Sequence, residues 1–224
     1  MISEKWDEKV IELAKSLINC QSYSGHEDKA AEALKAYMKE TGVFDEIETD
    51  CYGNVIGHIK GKNPGSKVLF DGHIDTVPVG NLKDWKHDPF HAVVEDGKLY
   101  GRGTSDDKGP LVSSLFAMKY LADNQLIPKD TCLRMIVGTD EEESWQCIRY
   151  YLDHAEILPQ VSIVPDANFP LLYCEKGLLD FDLSSVESVD ERAEIQIVEL
   201  KGGRSRNIVP DEASCLLKCE DPKA

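Results

Sequence analysis

Four short stretches concentrate the side chains that could hold a cation or move a proton. They are DGHIDTVP at 71–78, GRGTSDDKGP at 101–110, GTDEEESW at 138–145 and VPDANFP at 164–170. In the first, His73 and Asp75 are two residues apart, so both project to the same side of an extended segment. A metal-bound imidazole needs an acceptor on its other nitrogen, and a neighbouring carboxylate commonly supplies it. Alone, the pair reads first as a satisfied surface histidine. In the second, Asp106 comes just before a helical pattern. There an isolated Asp reads as an N-cap, and the helix terminus favours a negative charge with or without a metal. The glycines permit a tight loop, but the GK[ST] ending of a phosphate-binding loop is absent.

The third stretch places consecutive acids, Asp140 to Glu143, straight after an apolar run. Such neighbours raise one another's pKa unless cations intervene. Adjacent residues of an extended segment face opposite ways, so one of Glu141 and Glu142 can hold a metal while the other stays free as a base. The competing reading is a solvated acidic loop. Asp166, in the fourth stretch, reads alone as a turn residue. Taken together, imidazole and carboxylates without thiolates suit zinc, manganese or cobalt. Two such ions ~3.5–4 Å apart can share a carboxylate and acidify a water to a pKa near 7.

The elements that must position these groups follow from periodicity. Apolar stripes predict helices over about Ser3–Asn19, with Trp6, Val10, Leu13, Ala14 and Leu17 inward, and from Ser24-Gly25 to Gly42, with Leu34, Tyr37 and Met38 inward. Strands are expected at Asn54–Ile59 and Lys67–Phe70, and at Phe90–Val94 and Lys98–Tyr100 around the turn dipeptide Asp96-Gly97. A helix over about Lys108–Asn124 precedes a strand at Cys132–Val137. A helix over about Ser144–His154 precedes a strand at Val161–Val164. This alternation predicts an α/β sandwich with a largely parallel sheet, whose C-terminal strand edge gathers ligands. Beyond Gly177 the pattern changes to strands, at Leu178–Val186, Glu194–Leu200 and Ala213–Cys219, and is read as the start of a second unit.

The 224 residues suffice for one or two domains with a buried core, and 25 Lys+Arg against 41 Asp+Glu give a formal charge of −16. That charge repels phosphate backbones and anionic lipid, so neither nucleic acid nor membrane is an expected partner. The charged N-terminal helix lacks the apolar core of a signal peptide, and no stretch approaches the ~20 apolar residues of a membrane span. A cytoplasmic location is expected. Seven cysteines without a CxxC pair read as free thiols in such a compartment. Cys215 and Cys219 are four apart, but no second ligand pair accompanies them.

The ordered set GHIDTVP, GRGTSDDKG, GTDEE and PDANFP with a following EKG resembles the two-metal peptidase family that includes carboxypeptidase G, aminoacylase, ArgE and DapE. The forms GTDEE with a following Trp, PDANFP and EKG look most like its PepV-type dipeptidase branch. The likeness runs from the N-terminal helices to NIVPDEA at 207–213. It implies a three-layer α/β/α zinc-peptidase-like catalytic domain, of which residues 1–177 form the N-terminal part, and the start of an α+β lid domain at 178–224. It implies two Zn2+, with Mn2+ or Co2+ as alternatives, and a small peptide as substrate. Laid on this sequence, His73 and Asp166 are ligands of one ion, Asp106 bridges both and Glu142 binds the second. Asp75 orients His73. Glu141 is the general base that takes the proton of the attacking water and returns it to the leaving amine.

Family members are about twice as long, and their catalytic domain resumes after the lid to give the second ion a further histidine. His26, His58, His87, His91 and His154 match no motif position. The chain taken alone is therefore expected to lack one ligand of the second ion and to act as a catalytically incomplete metal-binding fragment. The alternative activity within the family is deacylation of an N-acyl amino acid. A two-metal phosphohydrolase would also use these carboxylates, but no basic phosphate clamp accompanies them.

Overall fold

The apolar run after Thr131 becomes the centre of a sheet. In the computed structural model it is β6 (Thr131–Gly138), buried at every position after its first residue. The structure describes residues 4–60, 66–156, 158–168, 170–177, 179, 181–184, 193–203, 209–210 and 212–219. The chain divides into two compact units, Met1–Leu172 and Tyr173–Ala224.

In the first unit β3 (Ser66–His73) runs parallel to β6, in a register that sets His73 opposite Gly138. β7 (Val161–Ile163) lies parallel on the other side of β3, with Phe70 opposite Ile163. β2 (Val55–Ile59) pairs antiparallel with β6, and β1 (Glu46–Thr49) antiparallel with β2. The order is β1-β2-β6-β3-β7.

The expected largely parallel sheet is thus mixed, and connection length explains it. Parallel neighbours need long crossovers, whereas a tight turn joins only antiparallel strands. Two helices supply the crossovers: α3 (Lys108–Asp123) lies between β3 and β6, and α4 (Gln146–His154) between β6 and β7. Between β1 and β2 the chain turns on Asp50, whose Oδ1 accepts the N–H groups of Tyr52, Gly53 and Asn54 at 2.9–3.0 Å. β1 was not anticipated: Ile47 is the one apolar residue of its EIET, which lies on the sheet edge.

Alternation along the strands builds two cores. Val55, Ile59, Leu133, Met135 and Val137 face a layer formed by α1 (Glu4–Ile18), α2 (Asp28–Thr41) and α3, where Leu13, Leu17, Leu34, Met38, Leu111 and Leu115 are buried. The opposite face offers Ile56, Leu69 and Ile136 to Tyr151 and Ile148 of α4. This is the expected three-layer α/β/α arrangement. Trp6 of α1 packs edge-on against Phe116 of α3 at 5.6 Å. Gly42 ends α2 in the left-handed conformation at φ 67, its N–H reaching the Lys39 carbonyl, as its position in the sequence suggested.

β4 (Val93–Glu95) and β5 (Lys98–Tyr100) form a hairpin. Its turn residues Asp96 and Gly97 both have positive φ, 51 and 73, the conformation that Asp-Gly favours. The strand expected from Phe90 begins only at Val93. In the second unit, β8 (Ile195–Gly202) and β9 (Ala213–Cys219) pair antiparallel with a register shift at Ile197/Glu199. The strand expected over 178–186 is absent from 179 and 181–184, and its remaining positions lie outside the described residues. Among the described residues no helix is long and apolar enough to cross a membrane.

Leu115 is fully buried where α3 meets α1 and the sheet. Leu115→Ala is expected to lower stability by about 2–5 kcal/mol, read as a shift of the urea midpoint with unchanged slope.

Candidate metal centre

Parallel strands end on a common edge, and the register of β3 and β6 ends both at one level. The chain leaves β3 at His73 and β6 at the facing Gly138, so the loops 74–76 and 139–142 start side by side. Asp166 follows the end of β7 by three residues, and Asp106 stands two residues before α3. Four distant stretches therefore open onto one place.

The imidazole of His73 is the centre of it and is 2% exposed. Its Nε2 lies 3.0 Å from Asp106 Oδ1, 3.6 Å from Asp166 Oδ2 and 3.9 Å from Glu141 Oε2. Its Nδ1 lies 3.2 Å from Asp75 Oδ1. His73, Asp106 and Asp166 each offer one ligand atom, all within 4.8 Å of one another. Donors at ~2.0–2.2 Å around one tetrahedral zinc stand roughly 3.3 Å apart. The 3.0 and 3.6 Å separations bracket that value. With one imidazole nitrogen and two carboxylates as donors, these residues fit a divalent cation.

Asp75, fully buried, reaches more partners than its place in an HxD pair suggests. Besides His73, it accepts the Ser24 hydroxyl at 2.7 Å, the Glu141 N–H at 3.1 Å and the Glu142 N–H at 3.1 Å. Burial opposes its ionisation, but the hydrogen bonds from His73 and Ser24 outweigh that and hold it below the usual aspartate range.

Residues 141–144 form a turn and not the extended stretch expected, yet the two glutamates still face different groups. Glu141 faces His73 at 3.9 Å. Glu142 stands outside the three-residue group, within reach of the charge of Asp106. Burial first, and then the charge of Asp106, push Glu142 up to about 7. Burial also raises Glu141. For His73, burial works against the charged form, yet the hydrogen-bonding carboxylates of Asp106, Asp166 and Asp75 hold it far above the ordinary histidine range.

The DDKG loop is packed from below. Asp107, fully buried, accepts the His73 N–H on Oδ2 at 3.2 Å, and burial pushes it up to about 7. It is the residue that precedes α3, without a side-chain cap. Lys108 is buried as well, and its Nζ donates to the Leu17 carbonyl at 2.9 Å, tying the loop to α1. Two glycines make room for this. A Cβ on Gly72 would come 2.6 Å from Asp107 Oδ2, and one on Gly109 would come 2.1 Å from the Thr104 carbonyl oxygen.

The structure thus brings His73, Asp75, Asp106, Glu141 and Asp166 around one point, with Glu142 beside Asp106. Sequence reasoning missed Ser24, Glu27 and Asp107. Ser24 and Glu27 sit in a polar stretch between two amphipathic helices, where periodicity is silent. Asp107 was masked by its twin, Asp106.

Residues 69–208 match the family model described as Peptidase family M20/M25/M40. The chain belongs to that family. It is 35% identical over 187 residues to the candidate dipeptidase YtjP of Bacillus subtilis, covering 83% of this chain and 39% of that protein. It is 32% identical over 221 residues to the candidate dipeptidase SSP1012 of Staphylococcus saprophyticus, covering 94% of this chain and 46% of that protein. The chain therefore spans less than half the length of these relatives. Among solved structures, human carnosine dipeptidase 1 shares the fold with a TM-score of 0.59 at 16% identity, over 72% of this chain and 39% of that one.

Removing the acceptor at Asp75 strands two backbone N–H groups, a hydroxyl and a buried imidazole. Asp75→Ala is expected to cost about 3–5 kcal/mol of stability, measured by urea unfolding of the metal-free chain.

Proposed function

We propose that this chain carries the N-terminal part of the catalytic domain of a metal-dependent dipeptidase in residues 1–177 and the beginning of a lid domain in 178–224. The observation that carries the reading is the convergence of His73, Asp106 and Asp166, each from a different loop, within 4.8 Å. Family membership and the dipeptidase names of the relatives support a peptide bond as the target.

In this reading His73 and Asp166 would hold one divalent ion, zinc by preference with manganese or cobalt as alternatives. Asp106 would be shared with a second ion, for which Glu142 would be a ligand. When bound, the ions polarise the scissile carbonyl and acidify the attacking water.

The chain's own residues do the rest. Asp75 accepts from Nδ1 of His73, which leaves Nε2 to face the ion. The same carboxylate pins the backbone at Glu141 and Glu142. Glu141, raised by burial, accepts the proton of the attacking water on its carboxylate and delivers it to the nitrogen of the leaving amine. Free thiols at all seven cysteines fit a reducing, cytoplasmic setting.

Calorimetric titration with Zn2+ tests the metal. The chain is expected to bind it, and His73→Ala to weaken binding by about 100-fold or more. A panel of dipeptides and N-acyl amino acids, assayed on a full-length version that supplies the further histidine of the second ion, tests the substrate. Dipeptides are expected to be cleaved and N-acyl amino acids spared. Glu141→Gln is expected to lower kcat by about 10²–10⁴-fold with metal affinity unchanged. Parental turnover in that variant would remove Glu141 from its role.

A further inference from the structure

The stretch between α1 and α2 runs beneath both site loops and is hydrogen-bonded to each. Ser22 accepts the Thr76 N–H on its carbonyl at 2.9 Å, and its hydroxyl donates to the Ile74 carbonyl. Ser24 donates to Asp75. Glu27, only 6% exposed, turns its carboxylate inward instead of toward solvent. One oxygen, Oε1, accepts two backbone donors, the Gly25 N–H at 2.8 Å and the Asp140 N–H at 3.0 Å.

Combined with Asp75, this accounts for three successive amides. Glu27 takes the N–H of Asp140, Asp75 Oδ1 that of Glu141 and Asp75 Oδ2 that of Glu142. Asp140 itself is held at φ 67, a conformation non-glycine residues seldom adopt. That backbone turn aims Glu141 at His73 and sets Glu142 beside Asp106. Burying a carboxylate 113 positions away along the chain to receive one amide is costly unless that amide matters.

We infer that Glu27 is a positioning residue for the acidic loop: by accepting the Asp140 N–H it fixes the direction in which Glu141 and Glu142 leave β6. The inference rests on the dipeptidase reading for its consequence, since Glu142 matters as the ligand of the second ion and Glu141 as the base. The role needs an acceptor oxygen and not a charge, because a single oxygen makes both bonds. Gln therefore substitutes for Glu at position 27, and Ala does not.

Two measurements on the chain test this. Amide hydrogen exchange in the metal-free protein reads the brace directly. Glu27→Ala is expected to speed exchange at Asp140, Glu141 and Glu142 by about tenfold or more while β6 exchanges as in the parent, and Glu27→Gln to stay within about twofold. Zn2+ titration reads the consequence, which a merely structural contact would not move. Glu27→Ala is expected to weaken about tenfold the binding step that Glu142→Gln removes, and to spare the step that His73→Ala removes. Unchanged exchange at the three amides, or equal damage from Gln and Ala, would overturn the inference. If Glu27→Ala does not fold, Ser24→Ala probes the brace from its other end. It should quicken exchange at Glu141 and Glu142, and parental exchange there would count equally against it. A parent chain that binds no Zn2+ would instead sink the dipeptidase reading, while the exchange result would still decide the brace.

Discussion

Negative charge crowded around one buried imidazole is the constraint to which the rest of the first unit answers. Carboxylates of Asp75, Asp106, Asp166 and Glu141 lie 3.0–3.9 Å from the ring nitrogens of His73. Asp107 and Glu142 stand just behind them, each pushed up to about 7 by burial. One imidazolium cannot neutralise such a set. Like charges this close together repel, and a divalent cation at their focus turns that repulsion into ligation.

The sheet is what makes the crowding possible. Parallel pairing of β3 and β6 in a register that aligns His73 with Gly138 delivers two loops at one level, and β7 delivers the third beside them. The crossover helix α3 brings the fourth, its start pressed under His73 by the close approach of Gly72 to Asp107. Packing of α1, α2 and α3 on one face and α4 on the other therefore serves the site indirectly, by fixing where each strand ends. Backbone amides 140–142 are captured by carboxylates from two other segments, so the orientation of the acidic loop does not depend on its own sequence alone.

Much of this was legible before any coordinates. The helices were read nearly to their ends, because Trp6, Leu13 and Leu17 or Leu34 and Met38 recur at helical spacing and a glycine closes α2. The site residues were legible as ordered motifs, since His73, Asp75, Asp106, Glu141 and Asp166 are the residue types that cation chemistry demands. What escaped was whatever depends on partners remote in sequence. β1 is an edge strand with Ile47 as its one apolar residue, so its alternation is faint. The antiparallel pairing of β1 with β2 follows from the Asp50 turn, whose hydrogen bonds a hydropathy pattern does not report. Glu27 reads as an ordinary acid at the start of a helix, and only the backbone of Asp140 shows why it is buried.

Zinc-edge anomalous diffraction from crystals of the chain grown with Zn2+ tests the central claim most directly. The account predicts an anomalous peak bonded to His73 Nε2 and to carboxylate oxygens of Asp106 and Asp166, at about 2.0–2.2 Å. A peak bound elsewhere, with His73 still hydrogen-bonded to Asp106 and no density between them, would contradict it.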